Sequence, residues 1–317
     1  MEPVYYGESD CEAILGSGKN KGTQCKNKAY FEIGVAGDGV SAKYICGMHS
    51  KGKDEAVELP KRSRKEVQER TEDEYKQRQT EIEEARAKNV KEGKKGTIIL
   101  LRMRMRHTPE YVQGFLNVFP NYRHDNRADG YGCSELSPMK LGPVEHGQPG
   151  LPPSLNIENF HQGNKCFQEE VDSHNNPTQL YYDNRLKFYL DSVPHRHKYK
   201  GTAANKNIPL YSIWVDKNGK EHRIDYITSR QFYCTFYDRL AGGVAGDGVP
   251  ATKAFAKLQQ MVNDGYNLAI SGYDAYGEKE TAEKSYLDSS SPFGHEKVLK
   301  CMLLEEYPWR KYKTFEF

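Results

Sequence analysis

Apolar positions change their spacing several times along the chain, and each spacing predicts a different element. Between Thr97 and Arg106, TIILLRMRMR alternates from Leu101 onward, with Met103 and Met105 opposed to Arg102, Arg104 and Arg106. Period two predicts a strand with one basic face, a row that either holds phosphate or carboxylate or is simply solvated. Gly114 to Gly132 is rich in Asn, Asp and Gly and predicts loops with aromatic anchors. In IPLYSIWVDKNGKEHRIDYIT, Lys217-Asn218-Gly219-Lys220 predicts the turn of a hairpin. Phe232, Phe236 and Leu240, then Phe255, Leu258 and Met261, recur at helical spacing. Leu268 and Ile270 predict a short strand running into Gly272-Tyr273-Asp274-Ala275-Tyr276-Gly277, where a carboxylate sits in an aromatic turn bordered by glycines. SPFGHEKVLKCMLLEEYPW predicts an N-capped closing helix with Val298, Met302 and Leu303 inward.

The stretch from Leu151 to Phe167, LPPSLNIENFHQGNKCF, combines apolar docking with an unusual polar face. On a helix starting near Ser154 or Asn156, Glu158, His161, Gln162 and Lys165 share one side, while Leu155, Phe160 and Phe167 oppose them. A carboxylate, an imidazole, an amide and an ammonium together form either a solvated face or the wall of a polar pocket.

Before that stretch the pattern is of another kind. Cys11, Cys25, Cys46 and His49 offer three thiols and an imidazole, the donor set of a closed structural zinc site. Tyr30, Phe31, Ile33, Tyr44 and Ile45 predict a hairpin and a patch too small to fold fifty residues without the metal. Five Lys and no Arg stand against six acids in residues 1–50, which argues against a DNA-reading finger and for a structural or protein-docking module. From Lys51 to Lys95 there are 14 basic and 12 acidic residues, with acid-first pairs at i, i+4 (Glu66/Arg70, Glu72/Lys76, Glu74/Arg78, Glu84/Lys88). That composition predicts a solvated helical spacer, with Pro60 in its first turn and Gly93 at its end, or else a partner-binding helix. Three parts follow: a zinc module over 1–50, a charged helical connector over 51–95 and a main domain over 96–317.

Seven cysteines, unevenly spread, suit a reducing, intracellular compartment better than a disulfide scaffold. No run approaches 18 apolar residues and MEPVYYGESD lacks a basic-then-apolar pattern, so neither a membrane span nor secretion is expected. With 46 basic and 44 acidic side chains, net charge is +2, so bulk electrostatics give no case for wrapping nucleic acid. GVAGDGV occurs at 34–40 and at 243–249 and has no functional reading.

In the main domain, LSP and GPV (Leu136 to Val144) followed by S-x-N-x-E-N-F-H-Q-x-x-K resemble the opening of the NADAR domains. Glu158, Gln162 and Lys165 match in identity and spacing, whereas Asn159 stands where that family usually has His. Asp274-Ala275-Tyr276-Gly277 is similar to its Asp-x-x-Trp-Gly, with Tyr for Trp, and Pro292-Phe293-Gly294 to its closing glycine segment. The resemblance implies a mainly helical α+β domain that hydrolyses N-glycosidic bonds of ribosylated or ADP-ribosylated substrates. It implies Glu158 and Asp274 as carboxylates of catalysis, Lys165 as phosphate ligand or tuner of Glu158, and Gln162 and His161 in the pocket. Tyr273 or Tyr276 would stack on the base. The Cys/His module, the connector and the PHRHK segment (Pro194 to Lys198) also look like uncharacterised proteins of large DNA viruses, implying host cytoplasm or a virion.

Two rival readings stand beside the enzyme. One is a non-catalytic interaction or virion-associated protein on a degenerate NADAR-like fold, docking through the zinc module or the connector helix. The other is a nucleic-acid-binding factor using Arg102, Arg104 and Arg106 with the basic knot of His195, His197, Lys198 and Lys200.

Overall fold

A computed structural model describes all residues except 1–3, 19, 34–42, 106, 200–207, 244–247 and 313–317; for 64–70 it describes the backbone only. The first copy of GVAGDGV, most of the second, Arg106 and Lys200 lie outside the described residues. The chain forms two compact units, Met1–Gln77 and Arg78–Phe317.

In the first unit, β1 (Phe31–Ile33) pairs antiparallel with β2 (Lys43–Ile45), with Phe31 opposite Ile45, and with β3 (Ala56–Glu58). The expected hairpin is therefore one edge of a three-stranded sheet, and the module runs past residue 50. Leu59 is buried, and the Tyr6 N–H donates to the Pro60 carbonyl. Pro60 thus belongs to this unit and lies ahead of helix α1 (Arg64–Lys91), within which the boundary between the units falls.

The second half of α1 is not a free spacer. Its Ile82 is 5% exposed, Glu83 accepts from the Tyr266 hydroxyl, and Asn89 donates to Gly265 O and Asn267 Oδ1. Sparse apolar positions sufficed because polar side chains supply the rest of the seam.

The second unit follows with β4 (Ile98–Arg102), β5 (Phe115–Phe119), β6 (Tyr131–Gly132), α2 (Ile157–Gly163), β7 (Lys165–Cys166) and α3 (Gln179–Leu190). Next come β8 (Tyr211–Val215), β9 (Glu221–Ile224), α4 (Tyr226–Gly242), α5 (Lys253–Asn263) and β10 (Asn267–Gly272). The chain closes with α6 (Ala282–Leu287), α7 (His295–Leu303) and α8 (Pro308–Lys311). Helices and sheets both contribute, an α+β composition. One sheet has the order β4-β10-β5-β6 with every pair parallel; the other, β7-β8-β9, is antiparallel. Leu268, Ala269 and Ile270 of β10 are fully buried, as a central parallel strand covered on both faces requires.

Several local expectations need correction. FLNVF, read as loop, is strand β5, since buried parallel strands need not alternate. The basic-faced strand stops at Arg102, and Met105 is 74% exposed, so among the described residues Arg102 and Arg104 do not form a row on a sheet face. The β8–β9 hairpin, both helices α4 and α5, and the closing helix α7 with Val298, Met302 and Leu303 inward lie where the pattern puts them. Gly294 caps α7 without a side-chain bond.

Candidate functional site

The first unit gathers its four sulfur and nitrogen donors. Cys11, Cys25, Cys46 and His49 place one ligand atom each within 4.8 Å of all the others. His49 Nδ1 lies 3.4 Å from Cys11 Sγ and 3.3 Å from Cys46 Sγ. A tetrahedral ion about 2.3 Å from each sulfur sets its ligand atoms just under ~4 Å apart, so donor set and spacing both fit zinc. N–H donors already face the sulfurs: the Cys46 amide donates to Cys11 Sγ, and Asn27 Nδ2 to Cys46 Sγ. Burial pushes the Cys46 thiol up, but the neighbouring N–H groups of His49 and Met48 and the Asn27 amide outweigh it and hold it at about 6. Four protein donors would fill every position of a tetrahedral ion.

In the second unit a cleft of about 930 Å³ opens between α2, the segment Pro194–Lys198, the turn after β10 and the start of α7. Glu158, His161, Gln162, Lys165, Tyr273 and Asp274 all line it. Tyr276 does not: it lies beneath the Arg102 guanidinium, 4.2 Å from its ring centroid, away from the cleft lining.

The helix carrying this wall is short, for reasons visible in its ends. Asn156 caps α2 by accepting the Asn159 N–H at 2.8 Å, and Ile157 and Phe160 anchor it in the core. Gly163 packs against Phe188 and Tyr189, where a Cβ would come within 3.0 Å of Phe188 Cβ. Asn164 ends the helix, and Lys165 enters β7 instead, paired with Ser212 of β8. Lys165 and Phe167 are therefore off the helix, and Leu155, expected inward, is 45% exposed. The polar set still meets. Lys165 Nζ donates to Gln162 Oε1 at 3.1 Å, and Gln162 Nε2 donates to Glu158 Oε1 at 3.0 Å.

Crowding by protein sets the ionisation of this wall. Burial holds the Glu158 carboxyl above its ordinary range, against the pull of Lys165, Gln162, Arg196 and His295. Burial brings the Lys165 ammonium down to about 8 against the opposing Glu158 charge. It keeps the His161 imidazole neutral, well below its usual value; that ring packs edge-on to Tyr233. Asp274, on the open rim, is raised by desolvation and then by the neighbouring Glu296.

Asn159 faces away from the cleft. Fully buried, it donates Nδ2 to the carbonyls of Asp191 and Val193 at 2.8 and 2.9 Å and accepts the His195 N–H at 2.8 Å. It thereby pins the segment that forms the opposite wall. His197 completes the fastening: its Nδ1–H donates to the Gln162 carbonyl at 3.0 Å, and its Nε2 lies 2.9 Å from buried Glu170. The expected basic knot is thus a strap, with His195 on Asp191 at 2.8 Å and Arg196 and Lys198 exposed.

Sequence reading overlooked Arg230, Tyr233, His295 and Glu296, which also line the cleft. Arg230, 3% exposed, donates to the carbonyls of Ser285, Tyr286, Asp288 and Ser291 and so fixes the approach to α7. A signal for the last two was present: a His-Glu pair directly after Gly294, in the first turn of a predicted helix. No protein-family model matches the chain, and no curated protein or solved structure matches it either.

Proposed function

We propose that the cleft hydrolyses the bond between base and ribose in a ribosylated or ADP-ribosylated substrate, on a NADAR-like domain. The observation that carries this reading is the meeting of Glu158 and Asp274, remote in sequence, in one cleft of about 930 Å³, the size range of a nucleotide-sized site. Cleaving the C1–N bond builds positive charge on the sugar, which an ionised carboxylate stabilises while an acid protonates the departing base.

Glu158, steadied by Gln162 and faced by Lys165, takes the first role and accepts the proton of the attacking water. Burial raises both carboxyls, but Lys165 and Arg196 pull Glu158 back towards its ionised form whereas Glu296 pushes Asp274 further up, so Asp274 takes the second. Lys165 meets a phosphate or tunes Glu158, neutral His161 offers a hydrogen bond, and Tyr273 stacks on the base. Zinc at Cys11, Cys25, Cys46 and His49 supplies fold stability to the first unit and no chemistry to the cleft.

The test is release of free base from a substrate in which a base is joined to ADP-ribose by an N-glycosidic bond. Glu158→Gln and Asp274→Asn should each slow it by about 10²–10⁴-fold, the usual worth of a positioned acid or base. A folded Glu158→Gln protein that releases base at the wild-type rate would overturn the assignment.

A second reading has its own observation. Neither position that departs from the NADAR pattern serves the cleft: Asn159 is buried and pins the strap, and Tyr276 is exposed beside Arg102. A docking protein on the same fold then predicts that the wild-type chain releases no base at all.

A further inference from the structure

Glu296 is a carboxylate that the fold goes out of its way to bury. It is 1% exposed in the first turn of α7, at the edge of the cleft. Two glycines clear its space: a Cβ on Gly272 would stand 1.8 Å from Glu296 Oε1, and one on Gly294 would stand 2.7 Å from Oε2. Burying an uncompensated carboxylate is expensive, so its partners decide its state. Oε1 accepts from the Asp274 N–H at 3.5 Å, and among the described residues Oε2 has no hydrogen-bond partner.

The His295 ring is oriented by its far side. His295 Nε2 lies 3.1 Å from the Pro120 carbonyl, which can only accept, so Nε2 carries a hydrogen. In a neutral ring Nδ1 would then be a bare lone pair, yet it faces Glu296 Oε2 at 3.4 Å. Two lone pairs at that separation repel, and a proton on either atom removes the conflict.

We propose that His295 and Glu296 carry one proton, on Nδ1 or on Oε2, beside Asp274 at the cleft wall. Asp274 Oδ2 and Glu296 Oε2 flank the same point, 3.4 and 2.7 Å from where a Gly294 Cβ would stand. The pair is therefore a positioning device next to the acid. When Asp274 gives its proton to a departing base, the pair gives its own to the Asp274 carboxylate and is refilled from solvent. The use of the proton rests on the glycosidase reading; its existence does not. The charged and titratable groups around the pair are Glu158 on α2, Asp274 after β10, and Tyr233 and Tyr237 on α4, with Arg196 on the strap and Lys297 on α7 acting on Asp274.

The test needs no substrate. In the full-length chain carrying ¹⁵N-labelled histidine and ¹³C-labelled carboxyls, nuclear magnetic resonance at neutral pH should show a hydrogen on His295 Nδ1 or on the Glu296 carboxyl. In Glu296→Gln, His295 should become a neutral ring protonated only at Nε2, and the Asp274 carboxyl should titrate lower, towards an ordinary aspartate. Wild-type protein with bare Nδ1 and an ionised Glu296 overturns the proposal, and that spectrum alone suffices should the variant not fold. If the proton is found but no base is released, only the glycosidase reading fails.

Discussion

Replacing Asn159 by Ala removes three hydrogen bonds of 2.8–2.9 Å from a side chain that is fully buried. Each such bond contributes about 1 kcal/mol net, and the His195 N–H loses its acceptor in a partly buried place, so the second unit should lose about 2–4 kcal/mol. Both tryptophans, Trp214 and Trp309, are buried in that unit, so their fluorescence in a urea titration of the full chain follows it selectively. The midpoint should fall while the slope stays constant, and amide exchange at His195 and His197 should quicken as the strap loosens. Asn159→Asp should cost at least as much, because it keeps the acceptor for His195 but sets a carboxylate against two carbonyl oxygens. A loss under about 0.5 kcal/mol with unchanged exchange at His195 would refute the strap argument, since that is what an unremarkable surface change produces.

Other outcomes follow from the same geometry. The purified chain should carry one zinc, and Cys46→Ser should abolish it and leave Tyr30 and Phe31 unprotected in hydrogen exchange, because the small sheet has little core without the ion. Lys165 has its affinity for protons lowered to about 8 on folding, so the unfolded chain binds more protons above that pH; its contribution to stability therefore rises from pH 8 towards 10.5, and Lys165→Met should remove this rise from paired denaturation curves. Gly272→Ala should destabilise by about 1–3 kcal/mol or more, and Glu296→Ala in the same chain should relieve most of it, because all three atoms nearest the added Cβ belong to Glu296.

Local periodicity carried much of the fold. Helices α4, α5 and α7 and the β8–β9 hairpin could be read from the helical spacing of their large apolar residues and from the turn residues, although α4 and α7 also bury polar positions on their other faces. Strand β5 could not, since a strand covered on both sides loses its alternation, and Asn117 within it reads as loop although it is 2% exposed. The arginine alternation misled because its period-two pattern outlasts the pairing with β10, which ends at Gly272–Arg102. The polar set Glu158, His161, Gln162 and Lys165 was legible as a group, but for a partly wrong reason: three positions share α2, and Lys165 reaches the others from β7. Glu296 escaped notice because a Glu in a first helical turn normally faces solvent, and only the small residues at 272 and 294 let this one turn inward.

The central claim is met most directly by running the reaction in ¹⁸O-labelled water with an ADP-ribosylated nucleotide and weighing the products. The account predicts unlabelled nucleotide and ADP-ribose with one ¹⁸O, placed on the sugar and not on a phosphate. Intact substrate after prolonged incubation, or label appearing on phosphate, would contradict it.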